Sequence, residues 1–548
     1  MEELMKTGVP GLDEILEGGF VVGSSVLIEG PPGSGKTNLG IQILVNGATR
    51  FNESGVIVTF EEFPEQIYRD AAQFGMDLRK LEEQKKIKII HTSPSEMQQS
   101  IDRLPGPTAS EVHEAIFQLG AKRILLDSVS HFIRVTDNVI EQRELLFRFQ
   151  KQLKQRGLTV IMTKELEEAE SKKIYFEEYV VDASVRLYNT PPSGIGDNLR
   201  SIEVRKTRGQ AHLPGRHPLK FFDDGIHIFP RPKVQPIIKP IENLKSATRV
   251  PVGISGIDAM LHGGLLQNST TLAAGPAGSG KTFLAAHFLA EGIKVGEACL
   301  YVTLEETPDK ILAYLPAVGL DLNKKNITKL LTIHHAVPIN LCLEELFLQL
   351  NRMITEKNIK RVVVDSLSDF AVAVRDPGML RDYVYILVRQ LEDAGVTSLL
   401  LSQIQQVAGA VNIAEIGYAI VADTIIYLGF VEIESKMHRV LSVLKMRGSA
   451  HDSELRKLLI TETGLEVATK FIGLTGVLSG MPTGKYRETI EEVFQPLFFV
   501  EGMMDLFTKA KDDVARKAVA DKVQTQIDNV IKKLGEYFDI DPRKIKNQ

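Results

Sequence analysis

Short β-branched and aliphatic runs alternate with segments of helical periodicity along most of the chain. In the first half the runs are Val26-Leu27-Ile28, Gly55-Val56-Ile57-Val58-Thr59-Phe60, Arg123-Ile124-Leu125-Leu126-Asp127 and Thr159-Val160-Ile161-Met162-Thr163. The second half gives Thr271-Leu272-Ala273, Leu300-Tyr301-Val302-Thr303, Arg361-Val362-Val363-Val364-Asp365 and Ser398-Leu399-Leu400-Leu401. Between them Ile41, Leu44 and Val45, and again Leu284, Phe288 and Leu289, fall at helical spacing. Strands that are apolar on both sides, separated by helices, predict a parallel sheet covered on both faces. The expected class is α/β, with two tandem P-loop domains built on central, mostly parallel sheets, plus a C-terminal helical extension.

The pattern breaks twice. Between Phe229 and Val250 stand Pro230, Pro232, Pro236 and Pro240; proline neither extends a helix nor sits in a central strand, so this stretch reads as a linker. The expected organisation is therefore a first domain at 1–232, a linker at 233–247, a second domain at 248–470 and a tail at 471–548. In the tail, Leu497-Phe498-Phe499-Val500 and Met503-Met504 make a dense apolar patch. Further on, Val523, Ile527, Val530, Leu534 and Tyr537 alternate by four and three. Two heptads suit a helix packed on its own domain as well as one that binds another copy or a partner.

One duplication accounts for the rest. Lys36 to Lys281 is 245 residues, Glu61 to Glu305 is 244, Asp127 to Asp365 is 238 and Lys206 to Lys445 is 239. Four motifs that keep their order at nearly constant offset mark two homologous domains. Gly8-Val9-Pro10-Gly11-Leu12-Asp13 and Gly253-Ile254-Ser255-Gly256-Ile257-Asp258 repeat in the same way.

Each domain carries a phosphate loop between a strand and a helix. The loops are Gly30-Pro31-Pro32-Gly33-Ser34-Gly35-Lys36-Thr37 and Gly275-Pro276-Ala277-Gly278-Ser279-Gly280-Lys281-Thr282. Glycines let backbone N–H groups wrap a phosphate at the helix N-terminus. Lys36 and Lys281 are expected to reach the β- and γ-phosphates of ATP, with Thr37 and Thr282 supplying a hydroxyl to Mg²⁺. Asp127 and Asp365 end apolar strands and complete the expected metal set, together with Glu305; the bland alternative for the aspartates is a helix cap. Glu61-Glu62 and Glu305-Glu306 follow strands at the carboxyl end of the sheet, where a carboxylate can orient the attacking water. The first of each pair is the preferred base, and a solvated helix start is the alternative. A final pattern, R-x5-K-x-R-G-x-A-H, gives Arg200, Lys206, Arg208 and His212, then Arg439, Lys445, Arg447 and His451. Its repetition points to cationic fingers supplied to the γ-phosphate by a neighbouring subunit.

Composition narrows the class further. At 548 residues, 43% hydrophobic and 25% charged, the chain is globular and too long for one core. No apolar run is long enough to span a membrane, the start lacks a signal-peptide layout, and a cytoplasmic protein is expected. Cys299 and Cys342 lie in apolar surroundings and read as reduced core residues. A net charge of −5 argues against a dedicated nucleic-acid binder.

With these motifs in place, the chain resembles the KaiC family of circadian-clock ATPases within the RecA-like superfamily, from about Thr7 to about Tyr486. The resemblance is carried by Val58-Thr59-Phe60-Glu61-Glu62, Ala422-Asp423-Thr424-Ile425-Ile426, Val431-Glu432-Ile433 and Lys445-Met446-Arg447-Gly448-Ser449. It implies two RecA-like domains and a two-tiered homohexamer, with ATP between subunits and Lys206, Arg208, Lys445 and Arg447 reaching across. A signalling or clock protein partner is a further implication; a double hexamer through the tail, which lies beyond the resemblance, is a separate expectation. It also implies a serine/threonine autokinase as an alternative activity, but the two phosphoacceptor places hold Ala419 and Ile420, which have no hydroxyl. A RecA-like recombination or repair ATPase is the remaining alternative.

Overall fold

The computed structural model describes residues 3–93, 96, 111–130, 138–166, 179–191, 198–232, 248–321, 329–374, 376–404, 420–433, 436–470, 474–475, 483–484 and 513–538. The linker 233–247, Ala419 and the apolar patch Leu497–Val500 with Met503-Met504 lie outside them. The chain divides into two compact units, Met1–Gln235 with Cys342–Leu348, and Pro236–Leu341 with Gln349–Gln548.

The first unit is organised by a nine-stranded sheet. Its strands are β1 (Ser25–Gly30), β2 (Gly55–Thr59), β3 (Ile87–His91), β4 (Arg123–Asp127), β5 (Thr159–Glu165), β6 (Ala183–Thr190), β7 (Leu199–Thr207), β8 (Arg216–Phe222) and β9 (Gly225–Ile228). They lie in the order β9-β8-β7-β6-β1-β5-β4-β2-β3. From β6 to β3 neighbouring strands are parallel. β6 to β9 form an antiparallel extension. Alternate residues of the parallel strands enter two cores. Val26, Ile28, Ile57, Leu125 and Ile161 pack on one face with Ile41 and Leu44 of helix α1 (Lys36–Arg50). Leu27, Val56, Val58, Ile124, Leu126, Val160 and Met162 pack on the other. This two-sided burial explains the unbroken apolar runs.

The second unit repeats the design in β10 (Thr270–Gly275), β11 (Cys299–Thr303), β12 (Leu331–His335), β13 (Arg361–Asp365), β14 (Thr397–Gln403), β15 (Thr424–Ile433), β16 (Lys436–Met446), β17 (Arg456–Thr461) and β18 (Gly464–Lys470). Their order, β12-β11-β13-β14-β10-β15-β16-β17-β18, is that of the first sheet strand for strand. Helix α2 (Lys281–Lys294) stands where α1 stands. His91 closes β3, and His334 and His335 close β12.

Helix α3 (Asp513–Phe538) bears the stripe expected in the tail. Val530 is 6% exposed, and Val523 and Ile527 are half-buried while most described neighbours on the helix are exposed. Among the described residues no helix is long and apolar enough to cross a membrane.

Candidate active site

The P-loop strands β1 and β10 are central, with parallel neighbours on both sides, and each delivers its loop to the carboxyl end of the sheet. A Cβ on Gly30 would lie 2.8 Å from the Leu187 carbonyl oxygen, and one on Gly275 2.0 Å from that of Leu428. Glycine is thus demanded by the close approach of the adjoining strand. Gly35 and Gly280 take left-handed conformations at φ 98° and 108°, and no side chain caps the helices they precede. The first N–H groups of α1 and α2 are consequently left for an external anion, where the helix dipole also favours negative charge.

The loop lysines fold back on their own loops. Lys36 Nζ donates to the Pro31 carbonyl at 3.0 Å, and Lys281 Nζ to those of Gly275 and Pro276, both at 2.8 Å. Burial holds both amines below the ordinary lysine range, partly offset by Glu165 and Asp127 around Lys36 and by Asp365 and Glu305 around Lys281. A phosphate in the loop would favour the charged form of these amines against the burial that lowers them. The hydroxyls of Ser34 and Ser279 and Oε2 of Glu306 are buried without a hydrogen-bond partner. Uncapped amides, desolvated amines and orphaned polar atoms together fit a triphosphate with its cation.

Asp127 and Asp365 sit at the ends of β4 and β13, two strands from the P-loop strand. Thr37 Oγ1 donates to Asp127 Oδ2 at 2.9 Å, which places the two expected metal residues of the first domain side by side. Thr163 also hydrogen-bonds Asp127. In the second domain Asp365 accepts instead from the Tyr301 hydroxyl at 2.6 Å. Burial raises the Asp365 carboxyl above the usual aspartate range despite that bond.

The glutamate pairs are held by a threonine turn. Thr59 Oγ1 donates to the Glu62 carbonyl at 3.0 Å and accepts from its N–H at 3.2 Å; Thr303 does the same for Glu306 at 2.6 and 3.1 Å. The backbone of the second glutamate is thereby pinned, while the side chains of Glu61 and Glu305 stand exposed. Glu62 is raised by burial and then by Asp127, Asp70 and Glu61. Glu305 is raised by burial and then by Asp369 and Asp365. Each mouth holds more negative charge than its lysine balances, an electrostatic demand for a cation.

The eight repeated basic residues fall into two sets. Lys206 pairs with Ser184 and Thr207 with Ala183, and Ala183 lies beside Val26, four residues before Gly30. At about 3.3 Å per residue, Lys206 and Arg208 are roughly 13 Å from their own P-loop, at the opposite end of the sheet. There Lys206 donates to the Val181 carbonyl at 2.7 Å and Arg208 to that of Tyr179 at 2.9 Å. Lys445 and Arg447 repeat this on Ala422 and Ile420, both at 2.6 Å. His212 Nδ1 lies 2.9 Å from Thr207 Oγ1, and His451 is half-buried nearby in sequence. Arg200 and Arg439 lie at the other end of the sheet. They were expected with the trans set, yet they stand at the P-loop end of their strands. Arg200 pairs with Asn189, which neighbours Gly33, and Arg439 Nε donates to the Gly278 carbonyl at 3.0 Å. Six residues of antiparallel strand separate each arginine from its lysine, so one strand cannot present both to one site.

Thr59, Thr303, Thr163, Tyr301 and Glu165 were missed by sequence reasoning. A signal existed for the first two, since threonine occupies the same place in Val-Thr-Phe-Glu-Glu and Val-Thr-Leu-Glu-Glu. Thr163 and Tyr301 have no repeated counterpart and were invisible to it.

Comparison with known proteins gives the family. The family model for the KaiC ATPase matches residues 5–233 and 250–471. The circadian clock oscillator protein KaiC of Thermostichus vulcanus is 33% identical over 504 residues, covering 91% of this chain and 95% of that protein. The protein of the same name from Synechococcus elongatus is 33% identical over 505 residues, with the same 91% and 95% coverage. The circadian clock oscillator protein KaiC 1 of Synechocystis is 31% identical over 505 residues, again covering 91% and 95%.

Proposed function

The chain belongs to the KaiC ATPase family, and from that premise we propose that it hydrolyses Mg-ATP at sites shared between neighbouring subunits of a two-tiered homohexameric ring. One observation carries the reading. Each domain holds the P-loop at one end of its sheet and the Lys-x-Arg pair at the other, so a complete clamp on one γ-phosphate needs two copies.

In this reading Lys36 and Lys281, with the loop amides, bind the phosphates. Thr37 with Asp127, and Thr282 with Asp365 and Glu305, hold Mg²⁺. When bound, the cation neutralises phosphate charge and orients the terminal group. Glu61 and Glu305 orient the attacking water, and Glu62 and Glu306 fix the turn that carries them. Lys206, Arg208 and His212, and Lys445, Arg447 and His451, act on the neighbour's γ-phosphate. Arg200 and Arg439 brace the loop of their own domain. Contacts to a γ-phosphate exist only before cleavage, which couples hydrolysis to ring shape and so to a listening partner. The segment after residue 470, including the striped helix α3, is the part that would join a second ring or such a partner.

Phosphate release from wild type, Lys36→Ala, Lys281→Ala and the double variant tests the activity. Stepwise loss is expected, and no turnover in wild type would reject it. Light scattering with and without ATP, on the full chain and on one ending at 486, tests the ring. A monomer indifferent to Mg-ATP would reject that part.

A second reading, autophosphorylation, comes from the resemblance to the family. It is opposed by Ile420, an aliphatic residue 62% exposed at one of the acceptor places, and no label from γ-labelled ATP is expected at 419 or 420.

A further inference from the structure

Each strand-end aspartate is gripped by a hydroxyl from a neighbouring strand, but the two domains draw it from opposite sides. In the first domain the donor is Thr163 of β5, the strand between β4 and the P-loop strand. In the second it is Tyr301 of β11, the strand on the far side of β13. Sheet register fixes which positions correspond. Gly30 pairs with Glu165 and Gly275 with Gln403, so Leu401 holds the place of Thr163. Thr59 pairs with Asp127 and Thr303 with Asp365, so Ile57 holds the place of Tyr301. One hydroxyl and one aliphatic side chain occupy these two places in each domain, exchanged between them.

The exchange is physically sensible. Tyr301 is 1% exposed and Asp365 7% exposed. A buried phenol needs an acceptor, and a buried carboxylate needs a donor. Leucine at 401 cannot donate, whereas the long reach of tyrosine restores the missing bond from across the strand. The bond also differs in what it leaves open. Asp127 is engaged by Thr37 as well as by Thr163; among the described residues no corresponding bond joins Thr282 to Asp365.

We infer that Tyr301 is the positioning residue for the cation-holding carboxylate of the second domain, replacing Thr163 of the first. The inference rests on the reading of Asp365 as a magnesium residue. Its phenol donates to one carboxylate oxygen, fixes the rotamer and leaves the other oxygen for the cation or its water. Partners of this kind typically change metal affinity by about 10–100-fold when removed.

The test uses the full chain carrying Lys36→Ala, which silences the first site, loaded with a non-hydrolysable ATP analogue. Mn²⁺ binding is followed by the loss of the free-ion electron paramagnetic resonance signal. Tyr301→Phe, which keeps the ring and the packing, is expected to weaken Mn²⁺ binding by about tenfold or more. Adding Leu401→Thr, the first domain's arrangement, is expected to restore most of it; a merely structural tyrosine would not be rescued in this way. Asp365→Asn is the control. If it weakens Mn²⁺ binding while Tyr301→Phe binds as the parent does, the role of Tyr301 is overturned and the reading of Asp365 stands. If Asp365→Asn leaves binding unchanged, both fall. In the first domain, with Lys281→Ala instead, Thr163→Val is expected to weaken Mn²⁺ binding, and unchanged binding there would overturn the correspondence.

Discussion

At Asp365 burial and function pull in opposite directions. Burial raises its carboxyl above the ordinary value of 3.8, so the native state keeps this proton to higher pH than the unfolded chain does. Stability of the nucleotide-free protein therefore falls as pH rises through that window, and the whole penalty is present above it. Asparagine can still accept from Tyr301 and carries no charge. Asp365→Asn is expected to unfold at a higher temperature than wild type at neutral pH without ligand, by a margin that shrinks towards the ordinary aspartate range. With Mg-ATP the order should reverse, because wild type gains more from binding at the second site, while both gain alike at the first. Thermal melts across pH decide this, and a wild type more stable without ligand at neutral pH would contradict it. The glutamates call for a second residue-level comparison. Glu306 accepts from the Tyr314 hydroxyl at 3.3 Å and has its backbone pinned, whereas Glu305 lies close enough to Lys281 to feel its charge. In a Lys36→Ala background Glu305→Gln is expected to slow phosphate release by about 10²–10⁴-fold, and Glu306→Gln by much less. The reverse order would exchange their roles.

At the scale of elements, the P-loop helices are locked to their sheets by a buried arginine in each domain. Arg123 donates to the Ile43 and Lys6 carbonyls at 2.7 and 2.9 Å and pairs with Glu53 at 2.6 Å. Arg361 donates to the Pro251 and Phe288 carbonyls, both at 2.9 Å, and pairs with Glu297 at 2.5 Å. Gly47 and Gly292 make room for them; a Cβ on either would fall 2.6 Å from the guanidinium or its stem. Alanine in a helix interior ordinarily gains about 1 kcal/mol over glycine. Here the neighbour is pinned by several bonds and cannot move aside, so overpacking, at about 1–3 kcal/mol, wins. Gly47→Ala and Gly292→Ala are expected to lower the midpoint of chemical denaturation, and a gain in stability would show that the arginines yield. Nothing in the sequence distinguishes these glycines from tolerated helix glycines, because the contact joins residues that are 76 and 69 apart.

For the whole molecule, the proposal that Lys445 and Arg447 work in trans makes a prediction about mixtures. A chain with Lys281→Ala lacks the loop lysine but offers intact fingers, and one with Arg447→Ala is its complement. Both also carry Lys36→Ala, so that only the second domain is read. A mixed ring then contains interfaces with both parts intact. Mixing the two inactive proteins after dissociation is expected to recover phosphate release that neither shows alone. If mixtures stay as inactive as their components, the fingers act within one chain or not at all. The roughly 13 Å between the fingers and their own loop is the reason to expect recovery.

The sequence by itself determined the doubled α/β architecture, the two phosphate loops and the carboxylates that face them. These features are local: an apolar strand, a glycine loop and a helix are written in consecutive residues, and duplication prints each of them twice. It also carried the tail helix, whose stripe needs only its own periodicity. The antiparallel strands from Ala183 to Ile228 were not resolved individually, since polar and apolar residues mix along them and pairing partners must be known before they can be told from loops. Only the tertiary structure decided that Arg200 and Arg439 stand at the P-loop ends of their strands while Lys206, Arg208, Lys445 and Arg447 stand at the opposite ends. Spacing along a chain gives the separation of such residues but not the end of the sheet to which strand register assigns each one. The exchange of Thr163 for Tyr301 was hidden for the same reason, because a hydroxyl and its carboxylate meet across strands 36 and 64 residues apart in sequence.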